Sequence, residues 1–226
     1  MKKVAIDCRL VKGAGIGRYI QELLSQFQKT DLPFQIVLLG NPRDLDNYHF
    51  QTVEFNSPIY SLKEQLRFPY GALEDVSLLH CPHYNIPLRW GKDMVVTVHD
   101  VAHLVIKSTP LLGLSRSYAR FMLKRVVRKA RRIITVSNFS KNEIIKHLDA
   151  IPDKIAVIPN GVNREIFHRA SQEEIDETRK RYGIEGDYIL YVGNLKPHKN
   201  LTGLMEAFNI LNRRDLKLVV VGAWSG

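Results

Sequence analysis

Cysteine is scarce in this 226-residue chain: there are two, alongside two tryptophans and four methionines. Two cysteines without metal-ligand spacing support neither a disulfide framework nor a structural zinc site. Cys8 and Cys81 therefore read as small buried hydrophobes in a reducing compartment. No apolar run approaches the roughly 20 residues that a membrane span needs. At the start, Asp7 and Arg9 interrupt the apolar run too soon for a signal peptide. Solenoid repeats and low-complexity tracts are also missing, which leaves a globular composition, 45% hydrophobic and 25% charged. Acidic residues are the scarcer charge, 23 Asp and Glu against 33 Lys and Arg, so the formal net charge is +10. That excess points to an anionic partner without naming it.

What is present is an alternation of short β-branched runs and helical patterns. KVAID (from Lys3), FQIVLLG (from Phe34), TVEF (from Thr52), VSLLHC (from Val76), MVVTVHD (from Met94), RIITVS (from Arg132) and KIAVIPNGV read as strands. Ile16 to Phe27 reads as an amphipathic helix, and NFSKNEIIKHL as a helix capped by Ser137 or Asn138. Gly40-Asn41-Pro42 reads as a turn. Strand-helix alternation predicts an α/β fold with a parallel sheet. A charged helix then opens at Ser171, with Glu174 at capping-box spacing. DYILYVG, NLTGLMEAFNIL and LKLVVVG follow as a second β-α-β unit. The expected organisation is residues 1–168 as a first domain, 169–186 as a charged linker helix and 187–226 as the beginning of a second domain.

Two segments carry the chemistry. DCRLVKGAGIGRY, Asp7 to Tyr19, holds Gly13, Gly15 and Gly17 ahead of the first helix. A dinucleotide fingerprint requires G-x-G-x-x-G directly after the strand, but here the last position is Arg18 and five residues separate Asp7 from Gly13. The P-loop pattern also fails. A glycine loop entering a helix still exposes main-chain N–H groups at the positive end of the helix dipole, which suits an anion. The second segment is Ser115 to Arg132, with eight Lys and Arg interleaved with apolar residues. It reads either as a surface helix with a solvated cationic face or as a helix facing anionic lipid headgroups through Arg116, Arg120, Lys124, Arg125, Arg128 and Lys129. No nucleic-acid motif accompanies the charge, so nucleic acid is not expected as a partner.

The ordered set DCRLVKGAGIGRY, LLHCPHYNIPL, VVTVHD, ITVSNFSKNEI, VIPNGV and YVGNLKPHKNL resembles family-4 glycosyltransferases of the GT-B fold, along nearly the whole chain. The resemblance implies an enzyme of two Rossmann-like domains that transfers a hexose, mannose among the candidates, with retention. The donor it implies is a nucleotide-diphosphate sugar, GDP-mannose or a UDP-sugar, and the acceptor a polysaccharide or lipid-linked glycan. It further implies that Gly13, Gly15 and Gly17 face the donor diphosphate, and that Lys199 grips it with help from Lys196 or His198. His99 matches the histidine near the transferred sugar, with Asp100 placed to orient it. A cytoplasmic protein, peripheral at the inner face of the membrane, fits that role.

His80, His83, His99 and His103 have spacings that invite a metal reading, but both pairs sit at strand ends without a cysteine pattern, so no metal is expected. The resemblance implies no cofactor. The family's donor half continues past VVVGAWSG to a glutamate–seven residues–glutamate motif, whereas Glu206 has Arg214 eight positions on. The expectation is a chain truncated within the donor domain, with little transferase activity by itself. The alternative is a non-catalytic acceptor- or membrane-binding module.

Overall fold

β1 (Lys2–Asp7) runs from exposed lysine into buried Ala5, Ile6 and Asp7. A loop leads to α1 (Gly15–Gln28), whose Gly17, Ile20 and Leu24 are buried at helical spacing. β2 (Phe34–Gly40) returns parallel to β1, with Ile6 opposite Leu38. The computed structural model describes residues 1–105, 113–193 and 199–222. It divides into two units, residues 1–105 with 113–161, and residues 162–193 with 199–222.

After β2 the chain differs from the turn expected at Gly40-Asn41-Pro42. The Asn41 side chain accepts from the Arg43 N–H and Pro42 occupies the first helical position, so the segment opens the short helix α2 (Pro42–Leu45). β3 (Gln51–Glu54), α3 (Leu62–Leu66) and a single 3₁₀ turn lead to β4 (Val76–Cys81) and then β5 (Asp93–Thr97). α4 (Ala102–Val105) and α5 (Gly113–Lys129) precede β6 (Arg132–Thr135), and α6 (Asn138–Leu148) precedes β7 (Ile155–Val157). Of the two residues offered as the α6 cap, Ser137 serves, its Oγ accepting from the Ser140 N–H at 3.0 Å.

All seven strands are parallel, in the order β3-β2-β1-β4-β5-β6-β7. Helices pack on both faces. Ile6, Ile36 and Leu38 meet Ile20 and Leu24 of α1 and Leu45 of α2 on one side. Ala5, Leu79, Met94, Val96 and Ile133 meet Met122, Leu123 and Val126 of α5 and Ile144 of α6 on the other. Cys8 and Cys81 are free, buried thiols whose pKa burial pushes up. The strand order reverses between β1 and β4, which in an open α/β sheet opens a crevice at the carboxyl ends of those strands.

The second unit contains α7 (Gln172–Tyr182), β8 (Asp187–Val192), α8 (Leu201–Leu211) and β9 (Leu216–Val221). The capping box on α7 is formed in full: Ser171 Oγ accepts from the Glu174 N–H, and Glu174 Oε2 accepts from the Ser171 N–H at 2.7 Å. Gly183, at φ +62°, ends the helix in the left-handed conformation. β8 and β9 pair in parallel. Among the described residues of this unit none is buried.

Candidate functional site

The loop after β1 forms one wall of the crevice. Its turns are closed by Val11 N–H donating to the Cys8 carbonyl (2.9 Å) and Gly13 N–H to the Leu10 carbonyl (2.7 Å). A Cβ on Gly17 would lie 2.7 Å from both the Leu10 and Val11 carbonyl oxygens, so only glycine fits there. A Cβ on Gly15 would meet nothing within 4 Å. The N-terminus of α1 is capped by Ala14 without a side-chain hydrogen bond, and its first turn holds no acidic residue. Open space over Gly15 and uncapped N–H groups give this end an electropositive, accessible character.

The strand ends supply the second wall. His99, half-buried just past β5, donates from Nε2 to the Pro82 carbonyl at 3.0 Å. A carbonyl only accepts, so the Nε2 proton is assigned by this contact and Nδ1 is the acceptor of the neutral ring. Burial lowers the His99 pKa, against the opposing pull of the Pro82 carbonyl and Asp100. The Tyr19 ring stands edge-on to the imidazole at 4.9 Å. The Tyr19 hydroxyl lies 3.3 Å from Thr97 Oγ1, which is 2.9 Å from His80 Nε2. His80 is buried, and its pKa is pushed down to about 4 by burial first and His99 second, so it is neutral at ordinary pH. Asp100 is exposed and its side chain accepts from the Ala102 N–H at 2.9 Å, at the entry to α4. The hydrogen bond that fixes the His99 ring thus comes from Pro82.

A buried polar cluster lies beside these groups. Arg9 binds Asp7 in bidentate fashion (2.7 and 3.0 Å) and reaches Glu64 Oε2 at 2.9 Å, with its guanidinium over the Phe55 ring. Burial lowers the Arg9 pKa, but Asp7 and Glu64 outweigh it and hold the group firmly charged. Glu64 is 2% exposed. Its Oε1 accepts from the Tyr60 N–H (3.1 Å) and lies 3.3 Å from the Tyr118 hydroxyl, whose one hydrogen is shared with Asn85 Oδ1 at 2.7 Å. His83 and Tyr84 line a concavity together with Ile16, Thr97, His99 and Asp100.

Among the residues expected from sequence, the fold brings His83, His99, Asp100 and the start of α1 together. The H-x-x-H pair diverges, His80 turning to Thr97 and His83 to Tyr60. Arg9, Tyr19, Asn85 and Thr97 lie within the quoted motifs and Tyr118 within the basic segment, but nothing in their spacing assigns them a role, and Tyr60 and Glu64 fall outside every quoted segment. In the second unit, Lys199 is exposed beside Asn200, the first flanking residue of α8, and that helix end has no side-chain cap and no acid in its first turn. Lys196 and His198 lie outside the described residues. On α5, Arg116, Arg120, Lys124, Arg125, Arg128 and Lys129 are all exposed, while Ala119, Met122, Leu123 and Val126 are spent on the core.

Residues 13–166 match the family profile described as Glycosyltransferase Family 4. The chain belongs to Glycosyltransferase Family 4. Residues 174–226 match a second profile, Glycosyl transferases group 1. The chain is 32% identical over 140 residues to the O-antigen chain mannosyltransferase RfbU of Salmonella typhimurium, covering 62% of this chain and 35% of that protein. It is 28% identical over 213 residues to the O-antigen chain mannosyltransferase B of Escherichia coli, covering 89% of this chain and 54% of the relative. The chain therefore spans about a third to a half of these relatives. Among solved structures, Anabaena HepE in complex with UDP and glucose aligns with TM-score 0.71 at 17% identity, over 97% of this chain and 61% of that one. Sucrose-phosphate synthase of Thermosynechococcus elongatus aligns with TM-score 0.70 at 16% identity, over 100% and 63%. The fold class of this family-4 chain is α/β of the GT-B type, a Rossmann-like parallel sheet followed by a second parallel unit.

Proposed function

We propose that the whole protein transfers a hexose with retention from a nucleotide-diphosphate sugar, GDP-mannose or a UDP-sugar, to a glycan or lipid-linked acceptor. The observation that carries this reading is the uncapped α1 N-terminus, opened by Gly15, beside His99, whose Nε2 is engaged by the Pro82 carbonyl and whose Nδ1 is the acceptor of the neutral ring. Charge develops on the diphosphate as the bond to the sugar breaks, and preorganised N–H donors at Gly15 and Gly17 stabilise it, while Gly13, its own N–H spent on the Leu10 carbonyl, turns the loop toward the phosphate. Lys199, with help from Lys196 or His198, is the cationic contact proposed for the diphosphate. His99 receives a hydroxyl of the sugar or acceptor on Nδ1, and Asp100 holds the turn that carries it. The names of the mannosyltransferase relatives favour mannose, and HepE, solved with UDP and glucose, keeps a UDP-sugar in the set.

The same reading puts the protein in the cytoplasm against the inner face of the membrane. No helix among the described residues is long and apolar enough to cross a membrane. Attachment rests instead on the exposed cations of α5, with Phe121 43% exposed among them and Arg125 over its ring. On α3, Leu62 and Leu66 are 83% and 80% exposed, flanked by the exposed Lys63 and Arg67.

Steady-state transfer from GDP-mannose and UDP-glucose, with the product anomer read by NMR, tests the reading. His99→Ala and Lys199→Ala are each expected to lower kcat by roughly 10²–10³-fold with the fold intact. Failure of the whole protein to release nucleotide from any UDP- or GDP-hexose overturns the proposal.

A further inference from the structure

Tyr60 has an unusual backbone for a residue with a large side chain. Its φ is +66°, in the left-handed region that glycine and asparagine occupy readily and an aromatic residue does not. It is nonetheless 54% exposed, so core packing does not account for the ring. The conformation is over-determined from below. Its N–H is held by Glu64 Oε1, and Glu64 is itself pinned by Arg9, Tyr118 and the Ser61 Oγ bond to its own N–H. Strain maintained in this way at a surface position marks a side chain kept for what it presents to solvent.

What it presents is an aromatic platform. The Tyr60 ring stands at 5.8 Å from His83, 6.3 Å from Tyr84 and 6.0 Å from Tyr118, and His83 and Tyr84 are themselves at 4.1 Å. The hydrogen bonds are directional. The Asn85 N–H donates to His83 Nδ1 (3.3 Å), so in the neutral ring Nε2 carries the proton and donates to the Tyr60 hydroxyl at 3.2 Å. That leaves the Tyr60 hydrogen for Tyr84, 3.3 Å away, or for a ligand hydroxyl. Asn85, 2% exposed, uses Oδ1 on Tyr118 and has no partner on Nδ2 among the described residues. It borders a small cavity that His83 and Pro82 also line. His83 and Tyr84 also line the His99 concavity, which makes the platform continuous with it.

We propose that Tyr60, His83 and Tyr84 form an acceptor subsite that takes an uncharged pyranose ring, stacked on the tyrosine and hydrogen-bonded at its hydroxyls. This deepens the transferase reading and rests on it for the word acceptor. Aromatic rings flanked by hydroxyl and amide groups match the alternating C–H faces and hydroxyl edges of a sugar. Charge selects against a phosphorylated sugar. Among the described residues, the charged groups tied to the cluster by the contacts above are Asp7, Glu64 and Asp100, with Arg9 as the cation, which the first two already occupy. A phosphate at this position meets net negative charge and no open cation among those groups.

Saturation-transfer NMR on the 226-residue chain, with methyl α-D-mannopyranoside and mannose 6-phosphate as probes, requires no donor and no turnover. The neutral glycoside is expected to bind with shifts at the Tyr60, His83 and Tyr84 rings, and mannose 6-phosphate at least about tenfold more weakly. Tyr60→Gly relieves the left-handed strain, so its melting temperature stays level or rises, while affinity for the glycoside falls at least about tenfold. Tyr60→Phe keeps the ring and most of the affinity. Unchanged affinity in Tyr60→Gly, tighter binding of the phosphorylated probe, or no glycoside binding at millimolar concentration each overturns the subsite. Nucleotide-sugar turnover by the whole protein alongside any of these results removes the subsite and leaves the transferase standing.

Discussion

At the residue scale, glycines 15 and 17 separate two demands that a motif search merges. Gly17→Ala forces a methyl to 2.7 Å from two backbone carbonyls, and overpacking of that kind costs roughly 1–3 kcal/mol against a helix-propensity gain of about 1. Urea unfolding is expected to show a net loss of about 0–2 kcal/mol. Gly15→Ala meets open space, so stability holds or rises, while UDP or GDP binding by the whole protein weakens about tenfold because the methyl occupies the anion's approach. A Gly15→Ala protein with undiminished nucleotide affinity contradicts the loop's assignment. The glycine spacing was legible in the sequence. The difference between the two was not, because it depends on where the Leu10 and Val11 carbonyls fold back. The same holds for His99: its histidine–aspartate pair is visible as letters, yet the ring is fixed by Pro82, seventeen residues away along the chain.

At the scale of elements, periodicity exposed the long helices and hid the short ones. α1 and α6 carry several turns of apolar spacing, whereas α2, α3 and α4 span four or five residues and have no period to detect. α3 nonetheless delivers Glu64 to Arg9. The sequence leaves α5 either as a surface helix with a solvated cationic face or as a lipid-facing one; its buried apolar side belongs to the core, so the proposed lipid contact rests on the exposed cations and Phe121. Each Lys or Arg near an anionic surface contributes about 1 kcal/mol before screening. Replacing Lys124, Arg125, Arg128 and Lys129 by glutamine is therefore expected to lower cosedimentation with phosphatidylserine-containing liposomes at least about tenfold. Added salt should weaken wild-type binding in the same direction. Equal binding by the variant removes α5 from the membrane reading.

At the scale of the whole molecule, the two units differ in what they bury. The seven-stranded sheet has cores on both faces, while the described residues of β8, α8 and β9 include no buried side chain. Protection from amide exchange follows burial and local opening free energy. Exchange mass spectrometry should find β1, β4 and β5 protected by orders of magnitude more than β8 and β9, and equal protection contradicts that ranking. By itself the sequence determined the alternation of strands and helices, the parallel sheet, the glycine loop and the family, because these are written in local period, turn chemistry and ordered motifs. Only the tertiary structure decided that β1 lies beside β4, that Pro82 sets the His99 tautomer, and that Arg9, Tyr60, Glu64, His83 and Tyr118 converge. Those contacts join residues 17 to 74 positions apart, and no spacing in the chain encodes them. They are chosen by which apolar faces are buried together and which buried charges then find a partner.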